Sequence, residues 1–508
     1  MKTMPNYAKS IGILTALMAV SKVFSIIREI TIASFYGASA STDAYFVAGG
    51  FISNVFFGIT AALSTVFVPY YINLKKTSDE DKKSHAVSSL ITSLVTFSIV
   101  IVIILYFIAP DIISVIAPSF TGDVFQEAIL YMRIYSLTIL FSLLANMLTA
   151  LLNAESRYGF GAIASVVYSI TSIVMMLALK DFIGIAALAA SVPIAFFFQI
   201  VILLFASRRY IRFRKIPQLF NPTIKKLVVL MIPVLLSNAT VEINQLLTRS
   251  IAARLDEGSV SILSYSNTLF SFVLQFMMTT FITVFFTELS NAAKNGNESI
   301  FNSRISQAIN LIIIVVLPIT AITFFFSKDI VSIAYGRGEF DANSVLLTAN
   351  CLSIYAFVFV FDSIRNLLIK AFYAKSNEKI PLLNSIVSLV ITVSGSLVLS
   401  KWLGIYGIVL SISVSLFVTT IILSINAKNH ICTYDKKKFL NTALKAGISI
   451  TVTSFLLFLL NKLLVTQSAY LRFFGACIVG FGCYLALLLV MKCDEIKNIV
   501  KVIKFKKT

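Results

Sequence analysis

The sequence predicts a polytopic, all-α membrane protein of fourteen transmembrane helices, built as two six-helix lobes related by a parallel repeat plus two C-terminal helices. Three observations carry this prediction. Of 508 residues, 58% are hydrophobic and 13% are charged, and the mean hydropathy is +0.91. Soluble chains hold about 45–50% apolar and about 25% charged residues. The apolar excess gathers into stretches of about 20 residues or more that are nearly free of charge, long enough to cross a bilayer as helices. These stretches are continuous rather than alternating, which sets aside outer-membrane barrels. Soluble enzymes, secreted disulfide scaffolds and coiled coils are excluded by the same composition.

The first span is placed at 8–34. A basic start precedes it, but no small-x-small cleavage site follows and the apolar pattern resumes after Lys22, so it reads as a spanning helix rather than a signal peptide. The second, 43–72, opens on Ser-Thr-Asp at 41–43. Spans at 85–109, 124–151, 159–178 and 183–206 complete the first six. After a basic connection come 223–253, 258–287, 301–326 and 341–373. The pair 379–400 and 402–426 is divided at Lys401-Trp402-Leu403-Gly404, and 440–464 and 469–492 close the series. Prolines inside spans, at Pro69, Pro193, Pro233 and Pro318, mark expected kinks.

Charge orients these spans. The chain carries a formal net charge of +19, which reads as the positive-inside bias of a membrane protein rather than as affinity for nucleic acid. With the N-terminus inside, cytoplasmic loops and tails together with the span ends that adjoin them hold 28 of the 42 Lys and Arg, and the outer loops hold 5. The heaviest clusters run from Arg208 to Lys226, Lys428 to Lys438 and Lys492 to Lys507, all cytoplasmic in this map. Both termini are therefore expected in the cytoplasm. The five cysteines form no CxxC, and His85 and His430 lie alone in polar loops, so neither a disulfide framework nor a metal site is expected.

An internal repeat divides the chain. At a constant offset of 220 residues, Ile134, Tyr135, Phe141, Asn146, Leu148, Ala154 and Ser156 each meet their own residue type, as do Ala33, Ser39, Ser41 and Tyr45. Six helices per half is an even number, so both halves enter the membrane in the same sense, around an axis along the membrane normal. The expected domains are 1–215, 216–430 and a 431–508 appendage of two helices and a basic tail, with the working cavity between the lobes.

A charge in the bilayer core costs about 2.5–3.5 kcal/mol on insertion scales, so each one is a functional candidate. The first helix carries Lys22, Arg28 and Glu29. At 100° per residue Lys22 and Glu29 share a face and Arg28 lies about 120° away. Either Lys22 pairs with Glu29 while Arg28 reaches outward, or a break near Ser25 turns both cations to one cavity. Asp43 is either a first-turn acid or a cavity residue. Glu242 and Arg249 lie seven apart on one helix face, Asp362 and Arg365 form an i,i+3 pair able to satisfy itself, and Glu127 and Arg133 lie near an outer helix end. No Gly-rich phosphate loop, Walker lysine or H-E-x-x-H is present. Enzyme activity is not expected, nor a bound cofactor. Coupling to a monovalent cation gradient or the membrane potential stays open beside downhill movement.

The run Ser21-Lys22-Val23, Arg28-Glu29, Phe35-Tyr36-Gly37-Ala38 and Thr42-Asp43-Ala44-Tyr45-Phe46-Val47-Ala48, closed by Phe67-Val68-Pro69, resembles the opening of the MurJ (MviN) lipid II flippase family. That family belongs to the multidrug/oligosaccharidyl-lipid/polysaccharide exporter superfamily. Glu257-Gly258-Ser259-Val260-Ser261 with Tyr265, Arg337-Gly338-Glu339-Phe340 and Ala371-Phe372-Tyr373-Ala374 extend the likeness over essentially the whole chain. Several positions depart from the family pattern. Lys22 stands for an arginine, Ser25 for a glycine, Val55-Phe56 for a paired arginine, Thr60 for a glutamate, Asn267-Thr268 for an Asp-Arg pair and Thr287 for a proline.

The resemblance implies a flippase that carries a polyprenyl-pyrophosphate-linked envelope precursor, foremost lipid II, to the outer leaflet of the bacterial cytoplasmic membrane by alternating access. Lys22, Arg28, Glu29, Asp43 and Arg249 are then the substrate-binding candidates, and Asp362 with Arg365 a structural or coupling pair. Helices thirteen and fourteen would build the groove for the lipid tail. The expected partners are the lipid-linked oligosaccharide and the bilayer, with no nucleic acid, and the protein acts as a monomer. The rivals are a flippase for a capsule, O-antigen or teichuronic-type unit, and a drug or cation antiporter, a class with twelve helices. A glycan ligase would want a larger outer loop, and a scaffold without transport leaves the buried charges unexplained.

Overall fold

The charge-poor stretches become helices almost without interruption. The computed structural model describes residues 4–77, 80–211, 222–277, 282–432, 436–493 and 495, and among these there is no strand. The basic residues of 212–221 and of the tail from 496 onward lie outside the described residues.

The chain divides into two compact units, Met1–Ser261 and Ile262–Thr508. The first holds α1 (Met4–Tyr36), α2 (Ala40–Thr77), α3 (Glu80–Ile116), α4 (Gly122–Ala154), α5 (Tyr158–Ile183), α6 (Ala186–Ser207) and α7 (Pro222–Ala252). Within it α4 is central, packed on α2, α3 and α6, while α1 lies on α5 and α7 on α2. Buried side chains explain that arrangement. Met147, Ala150 and Leu151 of α4 meet Leu63, Phe67 and Tyr71 of α2 with Val87 and Leu90 of α3, and Ala145, Leu148 and Leu152 meet Leu203 and Ala206 of α6.

At the unit boundary begins α8 (Ser259–Met277), followed in the second unit by α9 (Thr283–Lys294), α10 (Glu298–Phe325), α11 (Ser327–Tyr335), α12 (Ala342–Ala356) and α13 (Phe359–Ala374). Next come α14 (Lys379–Leu403), α15 (Ile405–His430), α16 (Lys436–Leu463) and α17 (Ala469–Val490). The last pair packs on α10 and α11 through Ile314, Ala321, Ile322 and Phe326 against Leu457, Ala476, Tyr484 and Leu488. Arg472 fastens one end of this contact, bonding Asn461 Oδ1 at 2.6 Å and pairing with Asp329 at 3.3 Å. Asn310 fastens the other, donating to Glu495 at 2.8 Å.

Lipid offers apolar helices no hydrophobic reason to associate, so small and polar residues do that work. The buried face of α14 is almost entirely polar: Asn384, Ser388, Thr392, Ser396 and Ser400 recur every four residues. Ser388 Oγ lies 2.8 Å from Ser415 Oγ of α15, and such contacts contribute on average about 0.6 kcal/mol each in membranes.

Ten helices are long and apolar enough to cross a membrane, eleven if one bent pair is a single span, among the described residues. That pair is α12 and α13, bent by 53°, where the sequence predicted one helix over 341–373. No proline or glycine marks the bend. Aromatic packing surrounds it instead, with Phe270 stacked on Tyr355 at 4.7 Å and on Phe359 at 5.3 Å, and Phe357 edge-on to Phe324 at 4.9 Å. The span expected at 258–287 contains α8 and the start of α9, and 278–281 lie outside the described residues. Helix α11 occupies part of a stretch read as loop. The break expected at 401–404 is present: α14 ends at Leu403 and Gly404 takes φ 56°, a left-handed turn open to glycine at no steric cost.

The 220-residue offset reappears in the backbone. Ser156 and Ser376 both take positive φ, at 60° and 55°. Ser156 N donates to Asn153 O and Arg157 N to Leu152 O; 220 residues later Ser376 N donates to Tyr373 O and Asn377 N to Phe372 O. Gly184 and Gly404 both have φ 56°, with amides bonded to Lys180 O and Ser400 O. Two successive helix ends are therefore built alike in the two halves, though most side chains around them differ.

Candidate functional site

The charged residues of the first unit gather around α1. Helix α1 runs through Ser25 as a continuous helix, so the break that would turn Lys22 and Arg28 to one side is not there. Lys22 is exposed on α1 nearly two turns before Arg28. Arg28 and Glu29 face inward, and Arg28 Nη2 donates to Glu29 Oε1 at 2.6 Å. Arg28 Nη1 donates to the hydroxyl of Tyr168 on α5 at 2.9 Å, and Tyr168 rests on Phe196 of α6 with ring centres 4.6 Å apart. The guanidinium is thus pinned at two corners. Its Nε is buried with no protein partner.

Helix α7 brings Arg249 against α2. A Cβ placed on Gly50 would lie 1.9 Å from Arg249 Nη1, so the guanidinium rests directly on the α2 backbone. One residue earlier, Gly49 stands beside the ring of Tyr135 from α4, whose hydroxyl lies 3.3 Å from Ser53 Oγ. Tyr45 meets Tyr135 edge-on at 6.1 Å. Glu29, Tyr45 and Tyr135 each stand within electrostatic reach of both Arg28 and Arg249, and Glu242 within reach of Arg249. The first unit therefore brings together Arg28, Glu29 and Arg249 from two helices, with Tyr45 and Tyr135 near both cations and Tyr168 on Arg28. Guanidinium groups bind phosphate and carboxylate oxygens bidentately, and a buried carboxylate beside them holds their charge until an anion replaces it.

Asp43 stands apart from this group. It is buried, and its carboxylate accepts from Gly258 N at 2.8 Å, Ser261 N at 2.7 Å and Ser261 Oγ at 2.5 Å. It closes the N-terminus of α8, where unpaired amides and the helix dipole favour negative charge. Gly258 is required there: its φ is 83°, and a Cβ would lie 2.9 Å from Ala38 O.

In the second unit Asp362 and Arg365 pair within α13 at 3.3 Å, and Asn366 Nδ2 adds a bond to Asp362 Oδ2 at 3.1 Å. The i,i+3 pairing expected from the sequence is formed, one turn after the 53° bend. No His, Cys, Asp and Glu cluster able to hold a metal ion occurs among the described residues.

Four residues of the first cluster escaped the sequence reading: Gly49, Gly50, Tyr135 and Tyr168. Two adjacent glycines inside a membrane helix were a usable signal, since they permit close approach by a neighbour. Tyr135 and Tyr168 carried none, because nothing local separates a tyrosine packed on a cation from one packed on lipid.

The family model described as "Lipid II flippase MurJ" matches residues 32–478. A probable lipid II flippase MurJ of Rickettsia prowazekii is 28% identical over 410 residues, 79% of this chain and 80% of that protein. The lipid II flippase MurJ of Burkholderia cenocepacia is 24% identical over 429 residues, 82% of this chain and 83% of its own. Among solved structures, a lipid II flippase MurJ in an inward closed conformation matches with a TM-score of 0.80 at 22% identity, covering 95% of this chain and 99% of that one. An inward-facing multidrug resistance MATE family transporter of the MOP superfamily matches with a TM-score of 0.67 at 12% identity, covering 87% and 99%.

Proposed function

The chain belongs to the lipid II flippase MurJ family, and from that premise we propose that it moves lipid II from the inner to the outer leaflet of the bacterial cytoplasmic membrane. The family is one of lipid transporters, so the protein is not an enzyme: no covalent bond of the cargo changes. One observation carries the reading. Arg28 and Arg249, from two different helices, converge on the same carboxylate and tyrosines inside an apolar unit.

The working cycle is alternating access between two six-helix lobes, 1–215 and 216–430, with the 431–508 appendage beside the lipid tail. Arg28, Arg249 and, from the first turns of α1, Lys22 take over from water around the diphosphate. Glu29 holds Arg28 while no anion is bound. Asp43, engaged by three donors, keeps the start of α8 in place, and Asp362 with Arg365 keeps α13 intact beside its bend. The protein works as a monomer, and a monovalent cation gradient or the membrane potential drives it.

Fourteen spans follow if α1, α7 and the α8–α9 segment cross the membrane besides the eleven apolar ones. Both termini then face the cytoplasm. Cysteine accessibility tests this map: 75–83 and 428–438 should label from the cytoplasm and 110–123 from outside. Outside labelling of 428–438 would overturn it.

A second reading keeps the mechanism and changes the glycan. It is favoured by the absence of cations at Val55-Phe56 and Thr268, where the family resemblance leads one to expect arginine. Complementation decides between them. Rescue of a strain depleted of its lipid II flippase supports lipid II; failure there, with rescue of a strain lacking a capsule or O-antigen flippase, supports the other cargo.

A further inference from the structure

A cation delivered from α7 needs room against α2, and that room is specific. Glycine inside a helix costs about 1 kcal/mol relative to alanine, so two in succession weaken α2 in its third turn without local benefit. Both positions are buried and both are filled from outside the helix. A Cβ on Gly49 would stand 3.0 Å from Tyr135 Cε2. A Cβ on Gly50 would stand 1.9 Å from Arg249 Nη1, 2.9 Å from Cζ and 3.2 Å from Cδ. The three atoms nearest the Gly50 position all belong to Arg249. The outer half of that side chain therefore lies along the space where a residue-50 side chain would be.

We propose that Gly50 is a positioning residue for transport: its missing side chain forms the seat of the Arg249 guanidinium, which there faces Glu29, Tyr45 and Tyr135 and meets the anionic diphosphate of the cargo. The inference rests on the flippase reading for its functional half. Its structural half is independent: α2 lacks its own cation at Val55-Phe56 and accepts one from α7. Glu29 lies within reach of both arginines and Glu242 within reach of Arg249, so an arriving diphosphate meets two guanidiniums already held by acids it can replace.

The test uses the full-length chain. Gly50→Ala should reach wild-type levels in the membrane, because the atom it displaces is the far end of a flexible side chain. Its rescue of a flippase-depleted strain should nevertheless fall at least tenfold. Adding Arg249→Lys, which removes the branched guanidinium, should recover part of that loss. A structural readout independent of transport accompanies these: in a chain whose five cysteines are replaced by serine, Gly50→Cys and Arg249→Cys should be joined by a short bifunctional methanethiosulfonate. If Gly50→Ala does not accumulate, recovery of its level by Arg249→Lys and the cross-link carry the same test. Wild-type rescue by Gly50→Ala, no gain from Arg249→Lys, or no cross-link would overturn the seat. Cross-linking in a protein whose wild-type form rescues no lipid II flippase defect would leave the seat standing and remove the cargo.

Discussion

Two buried charge groups, one in each unit, are satisfied in opposite ways. In the first, Arg28 and Glu29 on α1, Tyr168 on α5, Tyr135 on α4 and Arg249 on α7 lie together across four helices. In the second, Asp362, Arg365 and Asn366 settle their charge within a single turn of α13. The 220-residue offset makes the contrast sharper. Asn146 and Asn366 correspond, and each donates its side-chain amide to the carbonyl four residues earlier, yet Ser142 stands where the second half has Asp362. The repeat preserves backbone turns and leaves charge free to diverge. Charge satisfied locally serves the helix that carries it; charge shared between helices is open to exchange with a ligand.

The largest expected effect falls on the shared group. Arg28→Ala should abolish rescue of a flippase-depleted strain while the protein still reaches the membrane, and Lys22→Ala should do the same although Lys22→Arg is tolerated. Full activity of Arg28→Ala, at normal protein level, would erase the distinction between the units.

A smaller effect, on stability before transport, is expected at Asp43. Asp43→Ala leaves the amides of Gly258 and Ser261 and the Ser261 hydroxyl buried without their acceptor, at about 1–3 kcal/mol for each group. A clear fall in the detergent melting temperature should accompany the substitution, and an unchanged Tm would mean that water replaces the carboxylate there.

The smallest concerns Asp341, which caps α12 by accepting from Ser344 N at 2.8 Å. Asp341→Ala should cost about 1 kcal/mol and leave transport intact. Bonds from Ser344 hold the Asp341 carboxyl below the usual carboxylate range. Its contribution is therefore fully present above the unfolded value, near 4, and is lost as the pH falls through the lower folded value. Melting curves of wild type and variant should stay parallel from pH 5 to 8 and converge only in stronger acid.

What the sequence made legible follows from the range of each interaction. Most of the helices, the Gly404 turn and the like helix ends at the 220-residue offset are written in local runs or a fixed spacing, and these appear. The Asp362–Arg365 pair lies one turn apart, and its bond is where the spacing puts it. The acceptor role of Asp43 toward residues more than 200 positions away was not readable, nor was the Arg249 seat on Gly50, because each depends on which helices meet. The bend between α12 and α13 carries no breaker residue, only aromatic neighbours brought from α8 and α10, so periodicity alone ran the two together.

One measurement tests the division of labour most directly: lipid II transport at matched membrane levels in two charge-neutralised double variants. Removing one partner of a buried pair costs about 3–5 kcal/mol, whereas removing both leaves no uncompensated charge. Asp362→Asn with Arg365→Gln should therefore express and transport, because that pair serves its own helix. Glu242→Gln with Arg249→Gln should express and fail to transport, because its cation serves the cargo. Transport by the second variant, or its loss in the first at normal expression, would contradict the account.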